Sequence, residues 1–225
     1  MAEPLILAVD TAGPLVGLAV VQGTRLEGSW CARVVRGAES RLVPAVQELL
    51  QGRCPDALAL SAGPGGFTGL RVGVATALGL ASAWDRPVVP VSSLLVRAAM
   101  VPHQPAVLAL LDARKGRFYG GLFDTRPDLP VILADERDVP LSELIPSLPC
   151  IAVGEGAAVG RATLIEAGHR VAVQPDANPA PALARIGMLM FESGAGVPAH
   201  AVGIRYLRVP DAVPPADMRP PSRDS

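Results

Sequence analysis

The segment Ser61-Ala62-Gly63-Pro64-Gly65-Gly66-Phe67-Thr68-Gly69-Leu70-Arg71 carries the sharpest chemical pattern in the chain. An apolar run, Ala57 to Ser61, leads into it and a helical pattern leaves it. Glycine permits positive φ and close backbone approach. A helix N-terminus presents unpaired N–H groups and positive dipole character, which suit an anion. A P-loop, however, needs GxxxxGK[ST], because lysine and hydroxyl hold phosphates and metal, and no lysine is present here. A dinucleotide fingerprint needs GxGxxG; Gly63 and Gly65 fit, but Thr68 stands at the third glycine's place. The favoured reading is structural: Gly63, Gly65, Gly66 and Gly69 let a tight loop pack closely against its neighbours, with anion binding as the alternative.

Other reactive types are scattered. His103, His169 and His200 share no motif, and each reads as a surface or loop histidine. No HExxH supports metalloprotease chemistry and no GxSxG supports a serine hydrolase. Cys31, Cys54 and Cys150 lack CxxC spacing and fit buried or idle thiols in a reducing cytosol better than a disulfide framework; Cys54 has no histidine nearby in sequence. The expected sets of catalytic residues, metal ligands and cofactors are therefore empty. Arg114, Lys115 and Arg117 form a small basic loop that reads as a solvated turn, with contact to a partner, a nucleotide or RNA phosphate as the alternative.

The chain has 225 residues, half of them hydrophobic and 18% charged, which supports a sizeable core and excludes a disordered chain. A formal net charge of -1 supplies no overall basic field for nucleic acid, so any RNA contact would come mainly through a partner. The start, Met1-Ala2-Glu3-Pro4, lacks the basic segment of a signal peptide. The apolar stretch Val72 to Trp84 is shorter than the roughly 20 residues a bilayer requires. A cytoplasmic protein is expected.

The elements that must position the glycine loop follow from periodicity. Leu5 to Val9 is a continuous apolar run ending at Asp10, the mark of a strand buried on both faces. Leu15–Val21 and Arg25–Val35 complete an antiparallel meander. Ser40 could cap a helix that carries Leu42, Val43, Val46, Leu49 and Leu50. Strands are expected at 57–61 and 88–91, a helix from about Leu70 to Ala83, and another from Ser92 or Ser93 to Met100. The pattern then restarts. Val107 to Asp112 mirrors Leu5 to Asp10, Phe118–Phe123 returns, and Val131–Ala134 is a third strand. Strands at 151–153 and 171–173 and helices at about 157–167 and 180–193 follow.

Repetition fixes architecture. Both halves read as three strands followed by alternating α and β, so the expected fold is α/β: a duplicated actin-like (ASKHA, ribonuclease H-like) fold of two βββαβα-type subdomains, 1–102 and 103–208. A proline-rich tail, 209–225, is expected to be mobile. In ATPases of this architecture nucleotide binds between the halves, and an aspartate after the first strand helps organise metal and phosphates. Asp10, Thr11 and Asp112 are the candidates for such a cleft. The favoured reading is that both carboxylates end buried strands by accepting turn N–H groups.

Gly63-Pro64-Gly65-Gly66-Phe67-Thr68-Gly69-Leu70-Arg71-Val72-Gly73 resembles the GPGSFTGxRxG signature of the TsaB (YeaZ) family, with Gly66 in the serine's place. Leu7-Ala8-Val9-Asp10-Thr11 resembles the family's opening strand, Leu111 to Gly116 the opening of its second half, and Arg205-Tyr206-Leu207-Arg208 its C-terminal Tyr-Leu-Arg. The matches run in order over roughly residues 5 to 208. The resemblance implies a non-catalytic scaffold or activator in N6-threonylcarbamoyladenosine (t6A) formation at position 37 of ANN-decoding tRNAs. It implies a heterodimer with the transferase TsaD, docking of TsaE on that pair, a homodimer when alone, and tRNA contact only through the complex. TsaD-like relatives hold metal through HxxxH on a helix; the corresponding positions here, Glu39 to Val43, contain no histidine. The resemblance also implies that the two helices of the first half form the partner interface, through Val43, Val46, Leu50, Gly73 and Thr76. The alternative function is an actin-like ATPase or phosphotransferase working through Asp10 and the inter-lobe cleft.

Overall fold

The structure, a computed structural model, describes residues 3–33, 39–172 and 177–207. The expected tail, Arg208, the ends of two expected strands (Val34–Val35 and Val173) and the capping side chain of Ser40 lie outside the described residues.

The first half runs β1 (Leu5–Asp10), β2 (Leu15–Gln22), β3 (Arg25–Arg33), α1 (Glu39–Leu50), β4 (Ala57–Ser61), α2 (Phe67–Trp84), β5 (Val88–Val91) and α3 (Ser93–Ala99). Its sheet has the order β3-β2-β1-β4-β5, with β1 antiparallel to β2 and parallel to β4. The second half runs β6 (Val107–Asp112), β7 (Arg117–Asp124), β8 (Val131–Pro140), β9 (Ile151–Val153), α4 (Glu155–Val159), α5 (Arg161–Glu166), β10 (Arg170–Val171) and α6 (Ala180–Glu192). Its order, β10-β9-β6-β7-β8, repeats the first, with β6 in the place of β1. The duplicated actin-like fold is therefore present.

Strand β1 is apolar up to Asp10 because both faces of its sheet are covered. Leu5, Leu7 and Val9 enter the layer under α1 and α2, with Leu42, Val46, Val74 and Ala77. Ile6 and Ala8 enter the opposite layer, where Leu183, Ala184 and Ile186 of α6 lie. Each fully buried aliphatic side chain contributes about 1.5–3 kcal/mol relative to exposure. The helix closing the second half thus covers the sheet of the first. Helix α3 serves both halves: Val96 and Ala99 join the layer with α6, while Leu94 and Ala98 pack on Val107, Ala109 and Leu111 of β6.

Three expectations are adjusted. Helix α2 begins at Phe67 rather than at about Leu70, because Gly66 already occupies the cap position. The single helix expected at 157–167 is two, α4 and α5, meeting at Gly160, where a Cβ would strike the side chain of Leu141. Strand β8 runs on to Pro140 through a polar stretch that lacks strand-like alternation.

Candidate functional site

The glycine loop is shaped by what touches it. Gly63 has φ 114, a region that favours glycine, and a Cβ there would run into the carbonyl of Arg205. A Cβ on Gly65 would strike the backbone of Ala12, and one on Gly69 would lie 2.5 Å from the Thr11 carbonyl oxygen. The Gly66 N–H, which an anion would need, donates instead to the Ala12 carbonyl at 2.9 Å. These contacts support the structural reading of the loop: its glycines let the start of α2 sit directly on the turn between β1 and β2.

The segment after α6 closes over the same loop. Arg205 N–H donates to the Ala62 carbonyl at 2.7 Å, and Tyr206 stacks on Phe67. Arg205 also reaches Glu136 of β8 at 2.8 Å, whose carboxylate accepts from Ser92, the cap of α3. Burial raises the pKa of Glu136, with Ser92 and Arg205 opposing the shift.

A cleft of about 530 Å³ opens between the halves, lined by Gly65, Gly66 and Phe67 on one side and by Leu111, Asp112 and Arg114 on the other. Asp112 ends β6 as expected, accepting the Arg114 N–H at 2.8 Å and pairing with the Arg114 guanidinium at 3.3 Å. Arg117 of the basic loop pairs with Asp138. Asp10 lies beneath the cleft and is fully buried. Its carboxylate accepts Arg97 Nη1 at 2.6 Å and Nη2 at 3.1 Å, the Ser61 hydroxyl, and the Ala12 N–H at 3.3 Å. Glu155, at the start of α4, faces Arg97 Nε at 3.7 Å. Burial alone would lower the pKa of Arg97, but Asp10 and Glu155 outweigh it and hold the guanidinium charged. Burial raises the pKa of Glu155 against the pull of Arg97.

This arrangement does not fit a metal–nucleotide site centred on Asp10, because the chain's own guanidinium already grips both of its oxygens. Thr11, the second cleft candidate, is buried against Gly73, and its Oγ1 has no hydrogen-bond partner among the described residues. Among the described residues, no three His, Cys, Asp or Glu side chains gather with metal-holding geometry.

The predicted partner-facing residues divide. Val43 is 40% exposed and Thr76 is half-buried, so both reach the surface of the helical layer. Val46 and Leu50, at 1% and 2% exposure, point into the chain's own sheet, and Gly73 is pressed onto Thr11. Those three are corrected: the fold consumes them, because α1 has to cover β2 and β3, and α2 has to sit on the end of β1, before either can offer anything to a partner. What α2 exposes is Thr68, Arg71, Ala75, Gly79, Ser82 and Ala83, a narrow face with one charge.

Sequence reasoning missed Arg97, Glu155 and Glu136, and read Ser61 and Ser92 only as the start of the glycine segment and a start of α3. Arg97 had a signal: a lone charge inside the apolar helix Leu94 to Ala99, where only a buried partner makes a cation affordable. His169, read as a surface or loop histidine, lies in the loop between α5 and β10 but is only 7% exposed, with Nδ1 at 3.4 Å from Cys150 Sγ.

Fold and site together define a class: a duplicated actin-like protein whose glycine loop packs onto the turn after its first strand and whose strand-end aspartate is bound by an internal arginine. The family model for TsaD, tRNA N6-adenosine threonylcarbamoyltransferase, matches residues 34–128. The tRNA threonylcarbamoyladenosine biosynthesis protein TsaB of Bacillus subtilis is 33% identical over 156 residues, 60% of this chain and 68% of that protein. The TsaB of Haemophilus influenzae is 37% identical over 123 residues, about half of each chain. YeaZ from Pseudomonas aeruginosa superposes with a TM-score of 0.75 at 26% identity, covering 91% of this chain and all of that one. This chain belongs to the TsaB family.

Proposed function

We propose that the chain is a non-catalytic subunit of the cytoplasmic machinery that forms t6A at position 37 of ANN-decoding tRNAs, binding TsaD and, on that pair, TsaE. Membership of the TsaB family supports the pathway. The observation that carries the binding role is the outer face of α2. Over an 18-residue helix it presents small, largely uncharged residues, with no acid in its first turn and no base in its last. Such a face lets a second helix approach closely and desolvate cheaply. Thr76 borders it on the same helix, and Val43 is exposed on the neighbouring α1. A second copy of the chain covers it when TsaD is absent. With a net charge of -1, the chain leaves the tRNA to its partner. The Asp10–Arg97 pair speaks against the alternative of an ATPase or phosphotransferase.

The test is co-purification and titration with TsaD. Ala75→Arg and Gly79→Arg should weaken the complex by more than about tenfold while thermal stability holds. Binding equal to wild type in both variants would remove this face from the reading. Threonylcarbamoyl transfer by the isolated chain would remove the non-catalytic role.

A further inference from the structure

The floor of the inter-lobe cleft carries its own cation. A carboxylate has about four lone-pair positions. In Asp10 all are engaged, by two arginine nitrogens, the Ser61 hydroxyl and the Ala12 N–H. A hydrated magnesium ion needs carboxylate oxygens with free lone pairs and room for its waters. Neither is present. Glu155 faces the same guanidinium at 3.7 Å, and Asp112 on the cleft's other side is paired with Arg114. The turn after β1 seals the pair from above: a Cβ on Gly13 would collide with the Glu155 carboxylate and lie 3.0 Å from Arg97 Nη2.

We infer that Arg97 is a built-in replacement for a divalent cation, tying the end of β1 in one half to the start of α4 in the other and refusing a metal–polyphosphate at the cleft floor. The three groups come from three elements. Asp10 ends the central strand of the first sheet, Glu155 follows β9 of the second, and Arg97 rides on α3, which packs on both halves. A second polar link pins the other end of α3, where the Ser92 hydroxyl donates to Glu136 and Glu136 pairs with Arg205. In an ATPase of this architecture a diffusible ion joins the halves, so their spacing follows the ligand. Here the joining charge is covalently part of the chain, and the spacing is fixed without any ligand. A subunit with this lock presents one unchanging surface to its partner. The inference goes beyond the scaffold reading and fails separately from it, since TsaD binding by the wild-type chain is measured independently.

The test uses the full chain, thermal unfolding, and titration with Mn²⁺ followed by electron paramagnetic resonance. Wild type should take up no Mn²⁺, and its melting temperature should not move with Mg²⁺, with or without ATP. Arg97→Met should melt several degrees lower and recover on adding Mn²⁺ or Mg²⁺ but not K⁺. Asp10→Asn added to Arg97→Met should restore stability without any cation and abolish the cation response. A purely structural arginine would give the loss without the ion-specific recovery. If Arg97→Met yields no folded protein, the double variant decides: a folded double variant supports the replacement, and an unfolded one overturns it. Mn²⁺ uptake by wild type that is lost in Asp10→Asn, or an Arg97→Met variant as stable as wild type, overturns it too.

Discussion

Tyr206 stacks on Phe67 with ring centroids 4.8 Å apart and planes 15° from parallel, and its hydroxyl accepts a hydrogen bond from Arg71 Nε at 3.2 Å. The Arg71 guanidinium also lies 5.2 Å from the Phe67 ring centre. The segment after α6 is thereby fastened to the helix that leaves the glycine loop. Two stretches that resemble the family far apart in sequence are one contact in space. Tyr206→Ala should cost about 1 kcal/mol of stability, the scale of an aromatic pair beyond its area, and Tyr206→Phe less. Urea denaturation of the variants measures both.

Val43 and Val46 lie on the same helix and should behave oppositely. Val46→Asp buries a carboxylate in an apolar layer and should destabilise the chain by several kcal/mol or prevent folding. Val43→Asp, at an exposed position, should leave the melting temperature nearly unchanged and act on partner binding alone. Circular dichroism melts alongside a TsaD pull-down separate the two effects. Two intact folds would reverse the assignment of the inward face.

The glycines of α2 and its loop offer an internal contrast. Gly65→Ala drives a methyl into the Ala12 backbone and should cost about 1–3 kcal/mol. Gly79→Ala meets nothing within 4 Å on an exposed helical position and should stabilise by about 0.5–1 kcal/mol. Chemical unfolding of the two single variants would show opposite signs.

Glu136 gives the chain a pH dependence of predictable sign. Burial raises its pKa above the usual 4.5, so between the two values the folded state holds more protons than the unfolded state. Stability from this group is full below about pH 4.5 and falls as pH rises through the raised value. Glu136→Gln should therefore gain on wild type as pH increases across that window, and the gap should close on acidification. Melting temperatures of both proteins across a pH series check this; a gap that widens towards acid would contradict the sign.

The packing of α6 on the first sheet makes the halves interdependent. A fragment ending at residue 102 keeps Ile6, Ala8, Ala19 and Ala59 but loses the helix that covers them. It should show little cooperative melting and should bind a dye that reports exposed apolar surface. Adding the complementary fragment should restore the transition.

Much of the architecture was legible because it is periodic. Continuous apolar runs ending in Asp10 and Asp112 announced two equivalent central strands. Their recurrence announced the duplication, and the glycine spacing of residues 63 to 69 marked a close-packed loop. These are local patterns, set by the two-residue period of a strand, the 3.6-residue period of a helix and the φ freedom of glycine. The tertiary structure alone decided which side of each helix was spent inside. Val46 and Val43 look alike in sequence, and only the position of β2 and β3 beneath α1 makes one core and the other surface. It alone decided the fate of Asp10 as well. Arg97 is 87 positions away along the chain, and a charge pair between such distant residues leaves no periodic trace. Its partner is fixed by where α3 crosses the ends of two sheets, which no local propensity encodes.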